Sequence, residues 1–150
     1  MDDKEKVYLF KVSLNKKIYR KMALKGRTSL YAFAKEIVGA FDFEFDHAFG
    51  FYDNIKDIHE SSEAYTLFYD FGDPVNDNEK SVKKSYIYKV FQLNKKMIFL
   101  FDYGDNWEFL VECLGISDPK DSIKYPVVVE RKGAAPPQYP DDEECPYVSS

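Results

Sequence analysis

The N-terminal stretch "VYLFKVSLN" alternates, with Tyr8, Phe10, Val12 and Leu14 in one phase and Lys11 and Ser13 in the other. Period two is the signature of a strand with one buried face. "KIYRKMALK" alternates as well and groups Ile18, Met22 and Leu24. Between them, "LNKK" supplies Asn15, which tolerates the left-handed conformation of a tight turn, so the two runs predict a β-hairpin. Lys17, Tyr19 and Lys21 then form a basic outward strip with one aromatic ring. The period changes in "GRTSLYAFAKEIVGAF", where Leu30, Phe33, Ile37 and Phe41 recur at helical spacing with Ala34 and Val38 beside them. Thr28 or Ser29 can cap the first turn, because a side-chain oxygen accepts one of its unpaired N–H groups. This predicts an amphipathic helix over 28–41 that packs on the sheet.

"FDFEFDHAFGFYD" returns to period two, with Phe41, Phe43, Phe45, Phe49 and Phe51 on one side, His47 in the same phase, and Asp42, Glu44 and Asp46 opposite. A strand, or a bend running into one, is expected there. "AYTLFYDF" suggests a short strand and "GDPVNDNEK" a loop. In "VKKSYIYKVF" a short helix would place Val82, Tyr86 and Val90 on one face. "KMIFLF" is an unbroken apolar run, which suits a central strand covered on both faces. "DYGDN" turns it, and "WEFLVECLGI" returns with Trp107, Phe109, Val111 and Cys113 in phase. "YPVVVE" is a last strand opened by Pro126, and "GAAPPQYPDDEECPYVSS" is Pro-rich and acidic.

These elements fit a single α+β domain over 1–140, a twisted, mainly antiparallel sheet with one principal amphipathic helix packed on it, followed by an acidic tail over 141–150. Its expected core includes Phe10, Leu30, Phe33, Ile37, Phe99, Phe101, Trp107 and Phe109. The 150-residue length allows one hydrophobic core, and the 17% aromatic content favours a sheet. No apolar run approaches the roughly 20 residues that span a bilayer. The charged start "MDDKEK" leads directly into a strand pattern, so no signal peptide is expected. Cys113 and Cys145 lack CxxC partners, which points to a reduced, cytoplasmic setting.

Net charge is −5, in blocks. Nine basic residues and no acid lie between Lys6 and Lys35, and twelve acids against Lys56 alone lie between Glu36 and Glu79. Such blocks either fold against one another as weak exposed pairs or present a basic face to an anionic partner. "FYDFGD" at Phe68–Asp73 is nearly repeated by "LFDYGD" at Leu100–Asp105. Turn chemistry explains both: the first Asp bonds nearby N–H groups, the Gly supplies positive φ, and the second Asp completes the loop. The chemical alternative groups Asp70, Asp73, Asp102 and Asp105 as ligands for a divalent cation serving a hydrolase. Against it, the Ca²⁺-loop, Walker, GxSxG, HExxH and GxGxxG patterns are absent from the sequence. His47 and His59 are the only histidines, so no nucleophile, base and orienter set assembles. No catalytic residue, metal or cofactor is assigned.

"FLFDYGDNWEFLVE" resembles the apolar-YDFGDxW signature of the plasmid pRiA-type ORF-three-like family. "VYLFKVSLNKKIYRKMAL" is similar to its opening hairpin, with Tyr19-Arg20 where the family carries Trp-Arg. "TSLYAFAKEIVGAF" resembles its helix, "DHAFGF" its Asp-His-x-x-x-Phe element, and "YPVVVERKGAAPPQYP" its closing strand and Pro-Pro segment. The resemblance spans about 6–140, and the family's Cys-Gly-Gly stretch is missing from the tail. It implies a compact α+β domain without a settled activity. Some members are labelled transposon passengers with resolvase-like names. Recombinase chemistry needs a nucleophile among catalytic arginines, and only Arg20, Arg27 and Arg131 are present.

The function expected on these grounds is that of a non-catalytic binding or interaction module with a protein or anionic partner, accessory to a plasmid or mobile element. Its site is placed around Asp102, Asp105 and Trp107, with Tyr19, Arg20 and His47 as neighbours. Trp107 either anchors the turn or forms a pocket wall. Two alternatives stand beside it. One is nucleic-acid association through Lys16, Lys17, Arg20, Lys21, Lys25 and Arg27, with Tyr19 for stacking, which the acidic net charge disfavours. The other is the divalent-metal hydrolase.

Overall fold

A computed structural model describes residues 2–139; the acidic tail and Cys145 lie outside the described residues. The first hairpin pairs β1 (Val7–Ser13) with β2 (Tyr19–Lys25), and Asn15 Oδ1 accepts from the N–H groups of Lys17 and Ile18 in the turn. Helix α1 (Leu30–Ala40) follows, capped by Ser29, whose Oγ accepts from Ala32 N. Its end is a Schellman motif: Asp42, at φ 62°, sends its N–H to Gly39 O, and Phe43 N reaches back to Val38 O. Then come β3 (Phe49–Tyr52), a 3₁₀ turn at Ile58–Glu60, β4 (Ala64–Thr66), α2 (Leu67–Asp70) and β5 (Glu79–Ser81). Finally α3 (Ile87–Val90) leads to β6 (Lys96–Phe101), β7 (Trp107–Ser117) and β8 (Val127–Lys132).

The described strands form one mixed, largely antiparallel sheet in the order β5-β4-β3-β6-β7-β1-β2-β8, with only β4 and β5 parallel. Directly paired residues share a face, so the register fixes what each face carries. The pairs Phe10↔Met22, Phe10↔Cys113, Val12↔Val111, Phe99↔Phe109 and Phe51↔Phe99 lay one continuous apolar face across five strands. Helix α1 covers it with Leu30, Phe33, Ala34, Ile37 and Val38, and the Phe33 ring packs tilted on Phe10 at 4.6 Å and stacked on Phe51 at 5.7 Å. Truncating any fully buried phenylalanine here should cost about 3–5 kcal/mol.

The opposite face divides in two. On β3 and β6 it carries Gly50, Tyr52, Ile98 and Leu100; on β1, β2 and β7 it carries Lys11, Lys21 and Glu112. The sheet ends are blunted against chance pairing: β5 has three residues, and β8 meets β2 through a register shift at Lys21/Met22.

Of the two readings of the Phe41–Ala48 alternation, the bend running into a strand is the one found, and the ladder begins at Phe49. Phe43 is buried and Glu44 exposed as period two requires, but the backbone of Glu44 is held by the Gln138 side chain, which accepts from its N–H and donates to its carbonyl. An extended chain can alternate without pairing to a neighbour. Tyr86 does not share a face with Val82 and Val90, because α3 starts only at Ile87 and leaves Tyr86 exposed. Trp107 is half-buried beside the core, edge-on to Phe43 at 4.8 Å, and its indole N–H is buried without a partner among the described residues.

Candidate binding site around the Asp102 turn

Residues 102–106 close the β6–β7 hairpin beyond its last pair, Phe101↔Trp107. Asp102 adopts φ 69° and Asn106 φ 54°, so these two residues, and not Gly104, take the left-handed positions. That corrects the expected role of Gly104. Short polar side chains tolerate the conformation because they bond locally. Asp102 Oδ1 accepts from Gly104 N and Asp105 N, and Asp102 N donates to Ala48 O. The residue is 5% exposed. Its other oxygen lies 3.5 Å from His47 Nε2.

His47 in turn bonds Asp46 through Nδ1 at 2.7 Å, and Tyr139 donates to the second Asp46 oxygen at 2.7 Å. Gln138 Nε2 also reaches Asp46. Desolvation pushes the Asp46 carboxyl up, but the Tyr139 hydroxyl and the His47 ring together outweigh it and hold it below its ordinary range. The same bond to Asp46 is the main reason the Tyr139 hydroxyl is pushed up to about 12. Thus His47 and Asp102 are brought together as expected. Their contacts carry the 44–48 segment and the chain after β8 onto the hairpin turn.

The other expected neighbours go elsewhere. Tyr19 and Arg20 are successive strand residues and therefore face opposite ways. Tyr19 donates to Glu130 and has the Lys11, Lys21 and Lys132 ammonium groups 4.5, 6.0 and 5.8 Å from its ring centre. Arg20 is 4% exposed, lies over the Phe41 ring at 4.8 Å, and donates to the carbonyls of Ala40, Tyr19, Lys132 and Gly133. Burial, then the neighbouring Arg131 charge, lower its pKa. Arg20 is thereby withdrawn from the basic strip. Of the remainder, Lys21 pairs with Glu130, and Lys25 and Arg27 pair with Glu5, while Lys16 and Lys17 are exposed. The sequence contained the signal for Arg20, which shares the phase of Ile18, Met22 and Leu24.

The four motif carboxylates do not gather. Asp70 accepts from Ser81 Oγ, Val82 N and Lys83 N, and Asp102 is occupied by its own turn. Asp73 and Asp105 are exposed. No cluster of three or more His, Cys, Asp or Glu suited to a metal occurs among the described residues.

The same hairpin turn sends Tyr103 to the opposite sheet face, where sequence reasoning placed nothing. There a cleft of about 600 Å³ opens over Leu100, Tyr52 and Tyr103. Ile55, Ile58 and His59 form one wall, Phe68 and Val75 another, and Asn106 and Glu108 edge the β7 side. Asn54 shapes the first wall by accepting from Lys56 N and Asp57 N, and Asp57 caps the 3₁₀ turn through His59 N. Buried Glu79 shapes the second by accepting from Thr66 Oγ1, Val75 N and Asn76 N. The Tyr52 and Tyr103 hydroxyls bond each other at 2.6 Å, and Phe68 packs on the Tyr103 ring at 4.8 Å. Gly50 makes room for the pair: a Cβ there would lie 2.7 Å from the Tyr103 hydroxyl. Burial raises the pKa of both tyrosines, far above the ordinary value for Tyr103. Trp107, on the other face, is not part of this wall; Tyr103 takes the place foreseen for it. The cleft draws on residues more than fifty positions apart, which no local pattern reveals.

No helix among the described residues is long and apolar enough to cross a membrane. No curated protein matches the chain. Among solved structures, a protein of unknown function from Methanosarcina mazei Go1 shares the fold, with a TM-score of 0.73 and 24% identity over 97% of this chain and 83% of that one. The sequence profile described as plasmid pRiA4b ORF-3-like protein matches residues 6–143.

Proposed function

The chain belongs to the plasmid pRiA4b ORF-3-like family, and from that premise we propose that it works as a non-catalytic binding module whose binding surface is the cleft over Leu100, Tyr52 and Tyr103. What supports this is an apolar rim left facing solvent around a concavity: Ile55 is 43% exposed and Val75 72%. Concave, largely apolar sites with a few polar groups are where small ligands bind. Binding, not turnover, fits the carboxylates that hold the walls and the tyrosine pair on the floor. Glu79 and Asp57 are committed to backbone and hydroxyl donors that hold the walls, and the tyrosines stay protonated at neutral pH.

The setting we propose is cytoplasmic and accessory to a plasmid or other mobile element. Cys113 is buried and its thiol is pushed up to about 11 by burial, which suits a reduced interior residue. Recombination is disfavoured because all three arginines are engaged: Arg20 and Arg131 both donate to Ala40 O, and Arg27 pairs with Glu5.

Amide NMR on the full chain tests the proposal. Small apolar fragments should shift resonances of 52–59, 75–79 and 100–108. Val75→Lys, at an exposed rim position, should remove those shifts without lowering the melting temperature. Shifts confined to the hairpin around Lys16 and Lys17, or no shifts at all, would overturn it.

A further inference from the structure

We infer that the cleft selects a small molecule with an apolar body and an uncharged hydrogen-bond acceptor, and that it rejects anions; this rests on the cleft being the binding surface. Tyr52 and Tyr103 bring two O–H protons to the cleft floor, and their mutual bond uses one. Either hydroxyl can be the donor, so one proton is left over in both arrangements. Neither hydroxyl bonds anything else among the described residues. The carboxylate beside them, Glu79, already receives Thr66 Oγ1 and the N–H groups of Val75 and Asn76. A donor held on an apolar floor favours a ligand that brings the acceptor.

Charge decides which acceptor. The lining carries Asp57, Glu79 and Glu108 against Lys56 as its only Lys or Arg. Glu79 is close enough to raise the pKa of both tyrosines electrostatically. An anionic acceptor at the hydroxyl pair would meet that repulsion in a partly desolvated site, whereas an amide, ketone or ether oxygen would not. Apolar contact comes from Leu100, Phe68, Ile55 and Val75.

Three probes of matched shape test this on the full chain by NMR titration: 3-phenylpropanamide, 3-phenylpropanoate and propylbenzene. The amide should bind about tenfold or more tighter than the carboxylate, because both can accept the hydroxyl proton and only the carboxylate meets the repulsion. Either single Tyr→Phe change leaves one donor, so the informative variant is Tyr52→Phe with Tyr103→Phe. It removes both partners of one bond and orphans neither, so the fold should hold, with an unchanged melting temperature as the check. The double variant should lose about tenfold in affinity for the amide and keep its affinity for propylbenzene. Equal or tighter carboxylate binding, or undiminished amide binding by the double variant, overturns the inference and leaves the cleft as a binding surface. Failure of all three probes to shift the cleft resonances overturns the binding surface as well.

Discussion

In Phe68–Asp73 the glycine makes the turn; in Leu100–Asp105 the residues around the glycine do. The first segment is the end of α2. Gly72, at φ 82°, sends its N–H to Tyr69 O, and Asp73 N reaches back to Phe68 O, a Schellman closure like the one Asp42 makes after α1. The second segment joins two strands. Asp102 and Asn106 hold the positive φ values, and Gly104 takes an ordinary one. Two hexapeptides that share Asp, Gly and Asp at the same three positions thus encode a helix stop in one place and a hairpin turn in the other. The surrounding strand and helix lengths decide which, because the hexapeptide alone is compatible with both. The two segments also meet: Phe68, the first residue of one, packs on Tyr103, the fourth of the other, beside the cleft.

Each matched position offers a way to break or sharpen the contrast. The first aspartates should give the largest effects. Asp102→Ala removes the acceptor of two turn N–H groups and places a β-carbon without local hydrogen bonding at φ 69°, so urea unfolding should show a loss of about 3 kcal/mol. Asp70→Ala strips an acceptor from Ser81 Oγ and two backbone N–H groups but strains no dihedral, and should cost about 2 kcal/mol in the same assay. An equal loss at both sites would mean the dihedral is immaterial.

The glycines should separate next. Gly72→Ala meets no steric contact but must hold φ 82°, and should lower stability by about 1 kcal/mol. Gly104→Ala has no such dihedral, and its nearest neighbour is Asp102 Oδ1 at 3.3 Å; differential scanning calorimetry should find a change of at most about 0.5 kcal/mol. A larger penalty at 104 than at 72 would reverse the assignment of the two turns. The smallest effects belong to the second aspartates. Asp73→Asn and Asp105→Asn are exposed changes, and each should leave the unfolding free energy within about 0.5 kcal/mol of wild type.

Much of this architecture was legible because periodicity and burial coincide. The opening hairpin, the α1 stripe with its Ser29 cap, and the doubly buried β6 run follow from spacing alone. The 41–48 segment left a strand and a bend running into one equally open, because alternation reports which way side chains point, not whether a neighbouring strand is paired. Arg20 misled because its charge outweighed its phase; a guanidinium that finds four carbonyls can occupy a position otherwise reserved for an aliphatic side chain. None of the six residues expected at the site, Tyr19, Arg20, His47, Asp102, Asp105 and Trp107, lines the proposed cleft. His47 and Asp102 do meet, but the cleft is built on Tyr103, whose partners Tyr52 and Phe68 come from segments whose approach depends on the sheet order.

Arg20 also ties distant stretches of chain together. Its acceptors come from three stretches of chain: β2 itself, the end of α1, and Lys132 and Gly133 at the end of β8. The last of these lie more than a hundred residues along the chain from the guanidinium, so the closing strand is the latch that lets a charge stay inside that corner of the domain.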